Sequence, residues 1–569
     1  MLRTIFTSII VYFCSQFMCV GNVNLLPKRR EMLFYNFLAV FCIYTFFNIF
    51  FYDIRISFLI VITLFYLLSL TMYYVHEFRG TNINLSDILS INTAKEVAGG
   101  YTYEIKLVFI IFFVVIVFEF VFQIVHNKIK VDLSSYLNSN LNIYSYFWYE
   151  ARQIILFFVS FFILKDKISD KQYDYSLNAG ENEGYIYNFI SSIPIFHRSK
   201  KLNISSKEFL NNINTKSAHN FANVKMRNIE RPHIIAIMNE SFGTAHTHIK
   251  ANMPVTPYYD SLSKVTKGKL YVNTFGGGTA NTEFEFLTGM TIGNYPYPVM
   301  PYNNFVKRDK YSIARYFSSL GYKTIAMHPY TATNYHRNKV YKRFGFDELL
   351  FFNDFKHKEY VRNYVSDKSM YEEVIRRYEN AVESSEKLFL FGITMQNHSG
   401  YKNFDDAKVL SLMTNYKNRE AVDSYLSLMK LSDEAIEILI DYFSNVDEHV
   451  IILFFGDHNA SFGNEINKFV YDDVLDYECT NAYVTPLFIF DNKNKNKKDD
   501  FINEISANFL SLELLKRANL PLDDVHQMID EIYKKYSVYN FHKVKSRDDD
   551  SLYDIPMDKF MMYEREYLK

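Results

Sequence analysis

The apolar residues of this chain crowd into roughly its first 165 positions, and this crowding sets the first limit on its fold. Five apolar runs there approach the length that crosses a bilayer as a helix. They cover residues 4–20, 33–52, 56–75 and 107–125, and residues 153–164 if the last run extends back through 147. We therefore predict a helical membrane domain over residues 1–165, with about five spans.

Basic residues between the runs indicate whether the first run is retained and which way the domain is oriented across the membrane. Residues 4–20 could be a signal peptide, but Lys28, Arg29 and Arg30 follow them without a small-residue cleavage site, which favours a retained span. By the positive-inside rule these three residues would be cytoplasmic, and five spans would then place the C-terminal half there too. Lys128 and Lys130 favour the opposite arrangement. The loop charges leave the orientation open.

Beyond the apolar part, the chain becomes polar and then alternates short apolar segments with helical stretches. We predict a polar connector near the membrane over residues 166–230, an α/β domain over 231–540 and a charged tail over 541–569. The predicted strands cover residues 233–238, 323–327, 388–394, 450–455 and 486–490, and residues 421–443 are an intervening helix. Short β-branched and aromatic runs of this kind are typical of a buried, mostly parallel central sheet.

Net charge and cysteine content exclude some partners and sites. The formal net charge is -1, so no overall basic bias points to nucleic acid, and we expect no nucleic-acid partner. Of the four cysteines, only Cys479 lies in the polar half of the chain. A disulfide framework and a cysteine-rich zinc site are therefore excluded.

A glycine-rich turn precedes Thr279 at what we predict to be the start of a helix. Gly276, Gly277 and Gly278 allow the backbone to approach a ligand closely and to adopt positive φ. The N-terminus of a helix offers free N–H groups and a partial positive charge. The Thr279 hydroxyl is thus well placed to meet a phosphoryl group, although glycine turns before helices are common and this one alone is a weak signal.

Polar side chains follow four of the predicted strands. They are Glu240, His328, His398 and the pair Asp457 and His458. Ligands of open α/β sheets bind at the carboxyl ends of the strands. Each residue by itself is more often an ordinary loop residue, but the four positions together with the glycine turn predict metal-assisted phosphoryl or phosphodiester transfer.

The expected metal site combines two carboxylates with one imidazole. Glu240, Asp457 and His458 would bind a divalent cation, and the oxygen of Thr279 would complete the set. A threonine hydroxyl bound to such a cation loses its proton more readily and becomes a nucleophile. This oxygen-rich set favours Mn²⁺ or Mg²⁺ and leaves Zn²⁺ open.

A second group of residues is expected to handle the phosphate. His328, Arg337 and His398 would hold phosphate oxygens or protonate the leaving alkoxide. Histidine and arginine are suited to these tasks because both donate hydrogen bonds to anionic oxygen.

These segments resemble those of the lipoteichoic acid synthases, which are membrane-anchored members of the sulfatase/alkaline phosphatase superfamily. Residues 276–289, GGGTANTEFEFLTG, resemble the nucleophile segment of that family. The other matching segments are residues 239–242 for the first metal-binding segment, 326–330 and 335–347 for the substrate-binding stretch, and 394–398 and 456–458 for the remainder of the site.

The resemblance implies an extracytoplasmic catalytic domain behind five membrane helices, multi-pass in a bacterial cell (inner) membrane. It implies a phosphoglycerol transferase in which Thr279 attacks phosphatidylglycerol, diacylglycerol leaves, and a glycan or polyglycerol phosphate hydroxyl accepts the group. The implied metal ligands are Glu240, Thr279, Asp457 and His458, with Mn²⁺ the favoured ion. The implied substrate contacts are His328, Tyr335, Arg337 and His398.

Tyr335 is the point at which the sequence departs from some members of that family. The residue at this position is Trp in some members, and the residue at the position of His336 is Asn in some members. These differences leave the lipid head-group and the acceptor open.

Several alternatives share the expected fold. A true sulfatase needs a Cys or Ser in a segment that is converted to formylglycine, and Thr279 cannot be converted in that way. Phosphoethanolamine transferases have a threonine nucleophile but usually several disulfides, which this chain cannot form in its polar half. A metal-dependent phosphodiesterase, which passes the intermediate to water, stays open. A non-enzymatic lipid- or partner-binding domain is disfavoured because all four expected metal-site residues are present.

Overall fold

The computed structural model of the chain forms two compact units. It describes residues 2–20, 27–51, 54–79, 82–85, 87, 106–107, 109–118, 120–121, 143–169, 182–198, and 230–554 except 295–299, 402–403, 405, 414–417, 472–480, 495–499, 541–542 and 547–551. One unit comprises Met1–Leu89 and Tyr103–Lys200, and the other comprises Ser90–Thr102 and Lys201–Lys569.

Most of the described residues of the first unit are helical. Its helices are Leu2–Val20, Met32–Phe51, Ile54–Arg79, Ile143–Ser169 and Tyr185–Arg198, with a further helical stretch at Phe109–Phe118. Among the described residues, two helical stretches are long and apolar enough to cross a membrane, Met32–Phe51 and Arg55–His76. They coincide with the predicted runs at 33–52 and 56–75.

The other three predicted runs are helical where they are described. Ile5–Gln16 and Phe109–Phe118 are apolar but shorter than a membrane span. The run at 153–164 does extend back through 147, since it lies within the helix Ile143–Ser169. A count of five spans therefore stays a prediction.

The second unit contains an eight-stranded, mostly parallel sheet, as predicted. Its strands are β1 (His233–Asn239), β2 (Thr266–Tyr271), β3 (Tyr322–Met327), β4 (Glu348–Leu350), β5 (Lys387–Ile393), β6 (Val450–Gly456), β7 (Val484–Asp491) and β8 (Asp500–Ser506). Their order across the sheet is β8-β2-β7-β6-β1-β5-β3-β4. Strands β6, β1, β5, β3 and β4 pair in parallel, whereas β7 is antiparallel to both of its neighbours.

The degree of burial explains why some strands can be predicted from the sequence and others cannot. Every residue of β1 and β6 is buried, so both strands are continuous apolar runs. The three strands that were not predicted are short or less apolar: β2 reads TKGKLY, β4 has only three residues, and β8 buries only two of its seven residues. β4 and β8 are the two edges of the sheet, where one side of the strand lacks a neighbour.

Helices cover the sheet and complete the core. The longest in the second unit are Asp367–Glu383 and Arg419–Ser444, which pack against each other. The helix Thr279–Thr288 is short, and all ten of its residues are buried. A three-stranded antiparallel sheet follows, formed by Tyr536–Asn540, Lys543–Ser546 and Leu552–Asp554.

Some predicted segments lie mainly outside the described residues. Of the connector 166–230, the described parts include the helix Tyr185–Arg198, whereas residues 199–229 are outside. Of the tail 541–569, the described parts are the last two strands of the small sheet. The predicted domain boundaries stay predictions.

The parallel strands bring the predicted site residues to one edge of the sheet. β3, β5, β1 and β6 are adjacent and point the same way, so their carboxyl ends lie side by side. Gly456 ends β6, and a Cβ atom there would lie 1.9 Å from the carbonyl oxygen of Phe242. Only glycine permits this approach, which draws the segments after β1 and β6 together.

Candidate active site

The glycine turn places Thr279 at the first position of a buried helix. Gly276, Gly277 and Gly278 all have positive φ, and Gly278 occupies the N-cap position in the left-handed conformation. The helix ends at Gly289, which is also left-handed. The Thr279 hydroxyl donates a hydrogen bond to Oε2 of Glu240 at 3.2 Å.

Glu240, Asp457 and His458 form a buried cluster that we call the metal-ligand trio. One ligand atom from each lies within 4.8 Å of the others. His458 Nε2 is 3.2 Å from Oδ2 of Asp457 and 3.6 Å from Oε1 of Glu240. Both the Asp457 Oδ2 and the His458 Nε2 atoms are buried without a correctly oriented hydrogen-bond partner among the described residues. A divalent cation would satisfy both atoms, so the trio fits a metal ion.

Ser241 holds the two carboxylates of the trio in place. Its backbone N–H donates to Oδ1 of Asp457 at 2.7 Å, and its hydroxyl donates to Oε1 of Glu240 at 3.0 Å. The residue has φ of 53°, a strained conformation for a serine, and Tyr425 donates to its carbonyl oxygen. Sequence reasoning missed this role, for which the only signal was a hydroxyl residue directly after a predicted ligand.

The electrostatics of the trio favour a bound cation. Burial raises the pKa of Glu240 well above its usual value, and the Asp457 carboxylate adds to this rise. Burial also raises the pKa of Asp457, against the effect of the neighbouring His458. Two carboxylates in a low-dielectric site repel each other, and a divalent cation between them would remove that repulsion.

Arg337 is buried in an ion pair with Glu283, one helical turn beyond Thr279. The Nε atom of Arg337 lies 3.1 and 3.2 Å from the two carboxylate oxygens of Glu283, and Nη2 also donates to Oε1. Tyr302 and Tyr341 donate to Oε2 at 3.0 and 2.6 Å. Burial lowers the pKa of Arg337, but Glu283 together with Tyr341 and Tyr302 outweighs burial and keeps this pKa above its usual value. The ion pair links the helix of Thr279 to the predicted substrate segment.

His328 and Tyr335 both contact Arg337. The Nη1 atom of Arg337 lies 3.1 Å from His328 Nε2, and His328 Nδ1 lies 3.2 Å from the Ile393 carbonyl oxygen. Because arginine only donates, Nε2 accepts and Nδ1 carries the proton. Burial and then Arg337 hold the pKa of His328 well below its usual value. The Tyr335 ring centroid lies 5.0 Å from the guanidinium carbon, and the backbone of Tyr335 has positive φ.

His398 is half-buried on the loop after β5. Its Nδ1 atom lies 3.3 Å from the Tyr364 hydroxyl and 3.4 Å from the Ser399 carbonyl oxygen. Arg362 donates to the carbonyl oxygens of Gln396, His398 and Gly400 and so fixes the loop. Burial and then Arg362 lower the pKa of His398 to about 3, with smaller contributions from His458 and Arg337. Sequence reasoning missed Arg362 and Tyr364.

The predicted site residues thus fall into connected groups. The metal-ligand trio and Thr279 are in direct contact. Arg337, His328 and Tyr335 form a second group, joined to the helix of Thr279 through Glu283. The roles that we assign to these residues stay predictions.

Glu285 is a buried acid on the same helix and predicts a pH dependence of stability. Burial raises its pKa to about 7, although Ile292, Asn273 and Thr291 donate to it. The folded state therefore keeps a proton that the unfolded chain loses near pH 4.5. The contribution of Glu285 to the free energy of unfolding is greatest below about pH 4.5. It falls by roughly 3 kcal/mol as the pH rises towards about 7.

The Glu285→Gln variant should remove this dependence. We expect its unfolding midpoint to vary less between pH 4.5 and 7 than that of the unaltered chain, because glutamine has no proton to lose. Thermal unfolding of both proteins across this range measures the difference. Equal slopes for the two proteins would show that Glu285 does not titrate in this window.

An α/β sheet with a threonine hydroxyl beside a carboxylate–histidine set at its strand ends is typical of a sulfatase/alkaline-phosphatase-like domain. The sequence profile of the sulfatase family matches residues 232–519. The chain belongs to this family, and the resemblance predicted from its motifs is confirmed.

Curated relatives match part of the chain. A putative cyclic beta-1,2-glucan modification protein of Rhizobium meliloti is 29% identical over 318 residues, 54% of this chain and 49% of the relative. Lipoteichoic acid synthase 1 of Bacillus subtilis is 24% identical over 293 residues, 48% of this chain and 43% of the relative. The chain spans about half the length of the curated relatives that it matches.

Two solved structures share the fold. Phosphoglycerol transferase GacH of Streptococcus pyogenes, in complex with sn-glycerol-1-phosphate, has a TM-score of 0.50 and 22% identity over 66% of this chain and 90% of its own. The integral membrane protein lipooligosaccharide phosphoethanolamine transferase A (EptA) of Neisseria meningitidis has a TM-score of 0.51 and 13% identity over 89% of this chain and 98% of its own. At sequence identities of 22% and 13%, these similarities establish a shared fold only.

Proposed function

We propose that this chain is a metal-dependent phosphoglycerol transferase that moves glycerophosphate from phosphatidylglycerol to a hydroxyl of an envelope glycan or polyglycerol phosphate. The observation that carries the proposal is the contact of the Thr279 hydroxyl with the metal-ligand trio at a helix N-terminus. A hydroxyl there meets the requirements of a nucleophile for a phosphodiester. The transferases among the relatives support the same class of reaction.

The first half of the reaction forms a covalent intermediate on Thr279. Its oxygen attacks phosphorus, the bond from phosphorus to the diacylglycerol oxygen breaks, and diacylglycerol leaves. Glu240 accepts the hydrogen bond of the Thr279 hydroxyl and is placed to take its proton. A divalent cation held by the trio would lower the pKa of the hydroxyl and offset the charge of the phosphate.

Arg337 and His398 handle the phosphate and the leaving group in this proposal. Arg337 keeps its charge, and His328 orients it through Nε2. His398 is neutral in the free site, but a bound phosphate anion would raise its pKa and let it protonate the departing diacylglycerol oxygen. In the second half, an acceptor hydroxyl oxygen attacks phosphorus and its proton passes to His398, while the bond to Thr279 breaks and the threonine oxygen takes back the proton held by Glu240.

The helical unit would anchor the enzyme next to its lipid donor. Met32–Phe51 and Arg55–His76 have the length and composition of membrane spans. We propose a multi-pass protein of a bacterial cell membrane with an extracytoplasmic catalytic domain. The favoured metal is Mn²⁺, because two carboxylates, one hydroxyl and one imidazole make an oxygen-rich set, and Mg²⁺ or Zn²⁺ are the alternatives.

Mass spectrometry of the full chain tests the nucleophile and the donor together. The purified protein, in detergent with Mn²⁺, is incubated with phosphatidylglycerol, and the peptide that carries Thr279 is analysed. We expect a glycerophosphate adduct on Thr279 that is absent from Thr279→Ala. Thr288→Ala is the matched control, since Thr288 is buried on the same helix and donates to the carbonyl oxygen of Phe284.

Other outcomes would replace the proposal. An adduct from phosphatidylethanolamine but not from phosphatidylglycerol would make the chain a phosphoethanolamine transferase with the same site. Transfer to water with no transfer to an added acceptor alcohol would make it a phosphodiesterase. No adduct from either lipid, in folded protein that binds Mn²⁺, would contradict the proposed nucleophile.

A further inference from the structure

A buried carboxylate, Asp367, lies at the centre of a hydrogen-bond network beneath the candidate active site. It is the first residue of the helix Asp367–Glu383 and is fully buried. Its Oδ2 atom accepts hydrogen bonds from Asn239 Nδ2 at 2.7 Å and from the Ser432 hydroxyl at 2.5 Å. An acid so placed is costly to bury, and the bonds to Oδ2 compensate for only part of its lost hydration, since Oδ1 is buried without a hydrogen-bond partner among the described residues.

One arm of the network leads to the metal-ligand trio. Asn239 immediately precedes Glu240, and its side chain is fixed by Asp367 and by the Tyr371 hydroxyl at 2.9 Å. The Thr394 hydroxyl accepts the backbone N–H of Glu240 at 3.0 Å, and it lies near enough to Asp367 to lower the pKa of that carboxyl. Asp367 is therefore bonded to the residue that precedes Glu240, and Thr394 lies between Asp367 and the backbone N–H of Glu240.

The other arm leads to the loop that carries His398. The backbone N–H of Asp367 donates to Oε1 of Gln396 at 3.0 Å. Asn397 donates to the Ser432 hydroxyl at 2.9 Å, and that hydroxyl in turn donates to Asp367. Both residues that precede His398 are thus held by the network.

We propose that Asp367 is a positioning residue that sets the separation between the metal-binding end of β1 and the loop after β5. Glu240 and His398 follow different strands, and Asp367 is bonded towards both, through the Asn239 side chain and through the Gln396 side chain. Asn239 and Asn397 also meet directly, at 3.4 Å, and Asp367 holds Asn239 from one side of this contact. This inference rests on the proposed function, because it takes Glu240 as a metal ligand and His398 as a substrate contact.

The arm of the network that leads to the metal-ligand trio, which we call the metal-side arm, is tested by the affinity for Mn²⁺. Titration calorimetry measures this affinity on the full chain in detergent, without lipid. Asp367→Asn keeps the shape of the side chain but replaces one acceptor with a donor. We expect its dissociation constant for Mn²⁺ to rise about tenfold, the lower end of the effect seen for groups that orient metal ligands. An unchanged dissociation constant would overturn the inference, whatever happens to the stability of the protein.

Asp433→Asn is the matched control for a purely structural effect. Asp433 is equally buried, and it accepts the backbone N–H groups of Tyr258 and Tyr259 at 2.8 and 2.7 Å. Its replacement should lower the unfolding midpoint and leave the Mn²⁺ affinity unchanged. An equal loss of Mn²⁺ affinity in Asp433→Asn would show that general destabilisation explains the effect.

Thr394 provides a second test that holds even if Asp367→Asn does not fold. Thr394→Val removes the hydroxyl with little change of shape, whereas Thr394→Ser keeps it. We expect weaker Mn²⁺ binding in the first and near-normal binding in the second. If Asp367 acts through Thr394, the double variant Asp367→Asn with Thr394→Val should bind Mn²⁺ no more weakly than Asp367→Asn. Additive losses of Mn²⁺ affinity in the double variant, or normal Mn²⁺ binding by Thr394→Val, would show that Asp367 does not act through Thr394.

The arm of the network that leads to the His398 loop, which we call the substrate-side arm, is tested by the kinetics of transfer. In a transfer assay with saturating Mn²⁺, Asp367→Asn should raise KM for the lipid donor as well as lower kcat, because the His398 loop loses one of its anchors while Arg362 still holds the other side. Absence of transfer in the unaltered chain, with the Mn²⁺ effects intact, would contradict the proposed function but not the metal-side arm. Absence of Mn²⁺ binding in the unaltered chain would overturn both.

Discussion

Replacing Asp457 with asparagine should abolish both the response to metal and the activity. A cation that binds only the folded protein raises stability by about 2.7 kcal/mol at a concentration 100 times its dissociation constant. We expect Mn²⁺ to raise the unfolding temperature of the unaltered chain and a chelator to reverse the rise. Asp457→Asn should show neither effect, because the Oδ2 atom that faces His458 is lost or reoriented. Its turnover should fall by on the order of 10³-fold or more.

Asp523→Asn is the control for this prediction. Asp523 is also buried beside a histidine: its Oδ1 atom accepts the backbone N–H of His526 at 2.8 Å and lies 2.8 Å from the imidazole Nδ1. This pair belongs to no predicted metal site. We expect Asp523→Asn to unfold at a lower temperature and to keep the full Mn²⁺ response. A normal Mn²⁺ response in Asp457→Asn would remove Asp457 from the ligand set.

The second large effect is expected from breaking the ion pair of Glu283 and Arg337. Both side chains are buried, and Glu283 is the acceptor for Arg337, Tyr302 and Tyr341. Arg337→Met leaves the carboxylate without its countercharge, and loss of one partner of a buried pair costs about 3–5 kcal/mol. At about 2–4 °C per kcal/mol, the unfolding temperature should fall by on the order of 10 °C. Thermal unfolding without added metal measures this change.

The double variant separates the charge from the packing. Arg337→Met combined with Glu283→Gln removes both charges, so we expect it to unfold at a higher temperature than Arg337→Met alone. Neither variant should transfer glycerophosphate, because both lack the guanidinium that is proposed to hold the phosphate. An Arg337→Met protein as stable as the unaltered chain would contradict the structural role of the pair.

The central strands and the candidate metal ligands that follow them can be predicted from the sequence for a common physical reason. β1, β5 and β6 are buried on both faces, so each is a continuous apolar run. Polar residues begin where these runs end, which makes Glu240 and Asp457 conspicuous. β2 and β8 escape prediction because lysine and acidic residues interrupt their apolar residues.

The supporting residues of the site could not be found in the same way. Glu283 has the spacing of an ordinary acid on a helix surface, but the helix Thr279–Thr288 is buried on all sides, so this acid needs Arg337. Asp367 reads as a common first-turn acid of a helix. Its contacts with Asn239 and Ser432 join positions 128 and 65 residues away, and no local pattern encodes them.

The approach of the segments after β1 and β6, which Gly456 permits, has a consequence for how the protein acquires its metal. Ser241 and Asp457 meet across 216 positions of sequence, so the binding site does not exist until both strands have joined the sheet. A growing or unfolded chain offers isolated carboxylates but no chelating set. For a domain that folds outside the membrane, the ions available at that moment are those of the cell envelope. Metal identity would then depend on where the chain folds as well as on its donor atoms.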